Sequence, residues 1–90
     1  MTTYLIAYNS KTPGADNSGL SKAIQEAYQT SCRCLDSTWI VVSEKDVVQV
    51  RDSLMSHVDA HDRLLVCEIT KNMAWTALPP EIHDWVVKLL

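Results

Sequence analysis

Two stretches of this chain carry a helical apolar stripe, and only about sixteen residues, "SCRCLDSTWIVVSEKD", lie between them. That short gap constrains the fold more than any other feature. It is too short for a crossover between parallel strands and long enough for a hairpin. Trp39, Ile40, Val41 and Val42 make a strong strand, because β-branched and aromatic side chains suit a pleated surface. Cys32 to Leu35 makes a weaker one. Asp36-Ser37 between them reads as a tight turn, or as a bulge within one long strand.

The helices on either side follow from spacing. Leu20, Ala23, Ile24, Ala27 and Tyr28 recur at helical intervals, with Lys22, Gln25, Glu26 and Gln29 on the other face, which predicts a helix over 17–30. Asp16, Asn17 and Ser18 are its candidate N-caps, after a turn signal at Thr12-Pro13-Gly14. Ser43-Glu44-Lys45-Asp46 resembles a capping box with Asp in the place of the usual Glu, and it predicts the start of a second helix. Val47, Val50, Arg51, Leu54, Met55 and Val58 form that helix's stripe, and Asp59-Ala60-His61-Asp62 ends it.

Two further strands are expected. Residues 3–9, "TYLIAYN", and 63–69, "RLLVCEI", are almost entirely apolar, so both are placed at the centre of a sheet. Pro79-Pro80-Glu81 starts a short terminal helix, whose inner face is Ile82, Trp85, Val86 and Leu89. The order is β-α-β-β-α-β with a helix added, an α+β class and one domain over 1–90. Right-handed crossovers around a hairpin give a split βαβ arrangement. The expected sheet has its first and last strands parallel at the centre and both main helices on one face. Leu5 and Ala7 then point away from those helices while Tyr4, Ile6 and Tyr8 point toward them. Both sets are apolar, so a second layer must cover the sheet: the terminal helix, a second copy, or both. A chain of 90 residues buries only about 60–65% of its unfolded surface, which also favours a homodimer.

Charge and cysteine content narrow the function. The net charge is −3, and residues 46–90 carry all of it, with four basic and seven acidic groups. A general nucleic-acid binder usually has a basic excess, since phosphate contacts supply most of its affinity. Three cysteines do not make a paired framework, and the Cys32-Arg33-Cys34 gap is too short for a zinc knuckle. On a strand the two thiols share one face. They read as buried or half-buried thiols, with metal or redox chemistry as the alternative, and a reducing cytoplasm is the expected compartment. Tyr4 to Tyr8 is too short and unflanked to be a signal peptide, and no run is long enough for a membrane span.

The remaining polar clusters each carry a plain reading and a functional one. Asn9-Ser10-Lys11-Thr12 follows a strand and precedes a helix. It reads as a turn, or as a contact site for a phosphate or nucleic acid, although no P-loop is present. Ser37-Thr38 lies beside it as a polar surface or a simple strand bend. His57, Asp59, His61 and Asp62 look like a metal cluster but fit a helix exit. His83 and Asp84 lie on a solvated helix face, without a nucleophile elbow anywhere. Trp75 and Trp85 read as packing anchors more readily than as base-stacking platforms.

The motifs also resemble a known family. Tyr8-Asn9, Pro13-Gly14-Ala15-Asp16, Leu20-Ser21-Lys22-Ala23-Ile24, Cys34-Leu35-Asp36-Ser37-Thr38-Trp39-Ile40-Val41, Val50-Arg51-Asp52-Ser53-Leu54 and Asp59-Ala60-His61-Asp62-Arg63-Leu64 follow the order seen in SinR-like proteins. Those are similar to the small CRISPR-associated adaptation proteins of the second type. The resemblance covers most of the chain to Val66, and "STWIV" is its most specific piece. It implies a ferredoxin-like homodimer that serves as a scaffold and contacts nucleic acid. Some such relatives are described as metal-dependent nucleases, with an aspartate at the end of the first strand in each subunit. Here that position is Asn9, a neutral side chain that suits Mg²⁺ poorly. The expectation is therefore a non-enzymatic scaffold without a cofactor, with Asn9, Ser10, Lys11, Ser37 and Thr38 as its contact residues. The alternatives are an Mg²⁺- or Mn²⁺-dependent endonuclease, in which Asp36 or Asp16 replaces the missing carboxylate, and a protein-partner module of toxin–antitoxin type that uses the acidic second half.

Overall fold

The computed structural model describes residues 1–9, 18–58 and 62–89. The elements come in the order β1 (Thr2–Asn9), α1 (Ser18–Ala27), β2 (Ser31–Leu35), β3 (Thr38–Ser43), α2 (Val47–Met55), β4 (Arg63–Glu68) and α3 (Pro80–Leu89). The turn at Thr12-Pro13-Gly14 and the caps Asp16 and Asn17 lie outside the described residues, as do Asp59, Ala60 and His61.

The four strands form one antiparallel sheet in the order β2-β3-β1-β4. Asp36-Ser37 is the two-residue turn of a β2–β3 hairpin, and a separate irregularity falls between Arg33 and Leu35. β1 pairs antiparallel with both β3 and β4. The expected parallel β1–β4 pair at the centre is therefore corrected: β4 is antiparallel to β1 and lies at an edge. The reason is directional. Each helical crossover returns the chain in its starting direction, and the one hairpin reverses it. Strands before the hairpin run one way and strands after it run the other.

Period two then sorts β1. Tyr4, Ile6 and Tyr8 are buried on the face covered by α1 and α2, in one cluster with Leu20, Ile24, Tyr28, Trp39, Val41, Val50 and Leu54. The tyrosines tie the layers together at their hydroxyls. Tyr4 donates to the Lys45 carbonyl at 2.6 Å, and Tyr8 shares a 3.2 Å bond with Ser21 Oγ. Ser53 Oγ gives its proton to the Val50 carbonyl at 2.7 Å, so Tyr28 is the donor in its 2.7 Å bond to Ser53. Trp39 is also in this core, and its buried Nε1 finds no hydrogen-bond partner among the described residues.

Opposite residues across the ladder place Cys32, Ile40, Leu5 and Cys67 in one row on the far face. That face has a cover within the same chain. α3 packs beside β2, Val86 is 1% exposed, and the 72–78 segment spans a hollow of about 520 Å³ floored by Leu5 and Ile40. Ile82, Trp85 and Leu89 on the same helix are half-buried.

The capping box at α2 is real, but it sits three residues later than the sequence suggests. Asp46 is the N-cap: its carboxylate accepts from the Gln49 N–H at 2.8 Å, and the Gln49 side chain accepts from the Asp46 N–H at 2.9 Å. Ser43 stays in the ladder opposite Thr2 and accepts from the Lys45 N–H at 3.1 Å. Asp46→Ala removes one of the two reciprocal bonds and is expected to cost about 1 kcal/mol, read as a lower urea midpoint with an unchanged slope. Ser43→Ala in the same assay shows no loss of helix. The predicted α2 stripe is also narrower than expected. Val50 and Leu54 are buried, whereas Val47 and Met55 are exposed.

Candidate binding surface at the end of the sheet

The C-terminal end of β1, the β2–β3 turn and the start of β4 meet at one end of the sheet. Asn9 is the last β1 residue and is exposed. Its neighbour across the ladder is Arg63. On the other side, the Tyr8 N–H donates to the Ser37 carbonyl at 3.1 Å, and Ala7 stands opposite Thr38. Asn9, Ser37 and Thr38 are therefore brought together as the sequence suggests. Ser10 and Lys11 lie outside the described residues.

This end carries both signs of charge. The Arg33 guanidinium folds over the turn, with Nε donating to the Asp36 carbonyl at 2.9 Å and Nη2 donating to the same oxygen. That clamp holds the turn and leaves the exposed Asp36 side chain at the rim. Next to the turn, Arg33, Cys34, Asp36, Ser37, Leu78 and Pro79 border an open hollow of about 900 Å³. Hydroxyl, amide and guanidinium groups at such a rim suit hydrogen bonding to phosphate or to a polar protein surface. Among the described residues, no three His, Cys, Asp or Glu side chains are grouped as metal ligands.

Arg63 is the residue at this sheet end that sequence reasoning missed. A parallel β4 would put it at the far end of the sheet, beside Thr2. Only the antiparallel direction sets it opposite Asn9.

The other candidates are dispersed. His57 follows α2 and is exposed, while His61 lies outside the described residues. His83 is exposed yet engaged. Trp75 Nε1 donates to His83 Nδ1 at 3.1 Å, with the rings edge-to-face at 5.6 Å. An indole N–H only donates, so Nδ1 must be the unprotonated nitrogen. Trp75 thus fastens the 72–78 segment to α3, which agrees with its reading as a packing anchor.

The three cysteines are free and half-buried. Cys34 is pushed up to about 12, first by burial and then by the neighbouring Cys32, which opposes a second negative charge and accepts its hydrogen bond.

No protein-family model, curated protein or solved structure matches this chain.

Proposed function

We propose that this chain is a ferredoxin-like, non-enzymatic scaffold of the SinR-like type that works as a homodimer and contacts nucleic acid through the polar end of its sheet. The element order and the strand order β2-β3-β1-β4 support the ferredoxin-like reading. Asn9, standing where the resemblance places a metal aspartate, supports binding rather than hydrolysis.

One observation carries the dimer. β4 is an edge strand, and Leu65 in its middle is 60% exposed. Beside it, Val47, Val48 and Val66 border a groove of about 250 Å³ between α2 and the edge. Soluble proteins blunt free edges with charge, proline or a cover, because an apolar edge is a template for another strand. Here the charged residues of β4, Arg63 and Glu68, stand only at its two ends. A second copy that adds its own β4 would extend the sheet and bury Leu65.

Sedimentation equilibrium tests this. Wild type is expected at twice the 10.1 kDa chain mass, and Leu65→Lys at the single mass with an unchanged far-UV spectrum. A monomeric wild type at tens of micromolar would remove the dimer from the proposal. Fluorescence anisotropy with labelled single- and double-stranded oligonucleotides tests the contact. Arg63→Ala is expected to weaken binding by several-fold and to reduce its salt dependence, as the loss of one phosphate contact does.

A further inference from the structure

We propose that Cys32 and Cys34 form a thiol–disulfide exchange site, which closes to an internal disulfide by reaction with a small-molecule disulfide and reopens with a small thiol. The pair is set apart by its place in the sheet. In a regular strand, residues i and i+2 are about 6.6 Å apart at Cα, the long end of the range of about 4.4–6.8 Å that a disulfide spans. β2 is not regular at this point, since its pairing with β3 slips between Arg33 and Leu35. The bulge bends the strand at Cys34, the residue it leaves without a partner on β3. The Cys34 thiol already turns back on its neighbour, with Sγ donating to the Cys32 carbonyl at 3.7 Å.

Cys67 is not a competing partner. It lies in the same cross-sheet row as Cys32, but Ile40 and Leu5 stand between them. Three strand spacings amount to about 14 Å, beyond any disulfide.

The order of steps follows from the environment. Cys34 holds its proton firmly, first because it is buried and then because Cys32 lies beside it, so Cys32 gives its proton to water and attacks first. One sulfur of the small disulfide bonds to Cys32 and the other leaves as a thiolate. Bonded in the mixed disulfide, the Cys32 sulfur no longer opposes a charge on Cys34, while the larger effect, burial, remains. Cys34 loses its proton to water and attacks Cys32 Sγ, expelling the second small thiolate. Two protein thiols are oxidised to one disulfide, and one small disulfide is reduced to two thiols. Both cysteines are part-exposed, and Cys34 lies in the walls of both larger hollows, so closure reshapes the boundary of the binding surface.

Arg33 makes the test direct, because trypsin cleaves between the two cysteines. The reduced full chain is incubated with oxidised glutathione, quenched by alkylation and digested under denaturing conditions. In wild type, the expected result is the loss of two hydrogen atoms and alkylation of one thiol in place of three. Peptides 23–33 and 34–45 stay joined until reduction, about tenfold in excess of any glutathione adduct. Cys67→Ser gives the same linked pair. Cys34→Ser cannot complete the second step, so it accumulates glutathione on Cys32. The proposal is overturned if wild type keeps a glutathione adduct with unlinked peptides, if only chain-to-chain disulfides form, or if all three thiols remain alkylated.

Discussion

Ile24→Ala is expected to destabilise the fold by about 2–5 kcal/mol. Ile24 is fully buried and sits in the cluster that joins α1 to β1 and α2. Truncation removes three buried carbons and leaves a cavity, because Tyr8 and Tyr28 are held at their hydroxyls by Ser21 and Ser53 and cannot swing in to fill it. A domain of this size has on the order of 5–10 kcal/mol in total, so the variant should be partly unfolded at 37 °C. Ile24→Val keeps most of the volume and should cost about 0.5–1.5 kcal/mol. Gln25→Ala, next along the helix and exposed, should fall within about 0.5 kcal/mol of wild type. Urea denaturation at one fixed protein concentration makes the comparison valid if the native state is a dimer. A loss below about 1 kcal/mol for Ile24→Ala would mean that α1 is not seated as described.

Those core positions are visible in the sequence because burial leaves a periodic trace. Tyr4, Ile6 and Tyr8 alternate with Leu5 and Ala7, and Leu20, Ile24 and Tyr28 repeat at helical spacing. The hairpin is visible for a similar local reason, since sixteen residues between two helices admit little else. Strand direction is different. An apolar β4 fits a central parallel place or an edge antiparallel one equally well by composition, and only the count of reversals along the chain distinguishes them. The cost of that ambiguity is specific: Arg63 lands beside Asn9 only in the antiparallel case. The α2 cap is a second case. Ser43 with Asp46, and Asp46 with Gln49, both have the three-residue offset of a capping box. The ladder decides between them, because Ser43 is still paired with Thr2. What the polar sheet end touches leaves no such trace, since Asn9, Ser37 and Thr38 are ordinary turn and strand residues whichever role they have.

Val86→Asp is expected to cost about 3 kcal/mol or more, while Val87→Asp costs under about 0.5 kcal/mol. The two residues are neighbours on α3 and identical in chemistry. They differ in that Val86 is 1% exposed and Val87 is 49% exposed. A carboxylate at 86 faces the apolar hollow bounded by Leu5, Ile40 and Leu78, and no cation lines that wall among the described residues. Either the group takes up a proton or α3 leaves the sheet. Both routes give a readable sign. Burial raises the folded-state pKa of the new carboxyl above its unfolded value, so the folded state binds more protons. The penalty is then largest at neutral pH and shrinks as the pH falls through the folded pKa toward the unfolded one. If α3 detaches, Ile40 and Leu5 lose their cover and the variant binds an apolar fluorescent dye that wild type does not. The far side of the sheet would then be bare, and larger oligomers should form through it. Equal costs for the two substitutions would show that α3 does not cover the sheet, and a second copy would have to supply the second layer that Leu5 and Ala7 require.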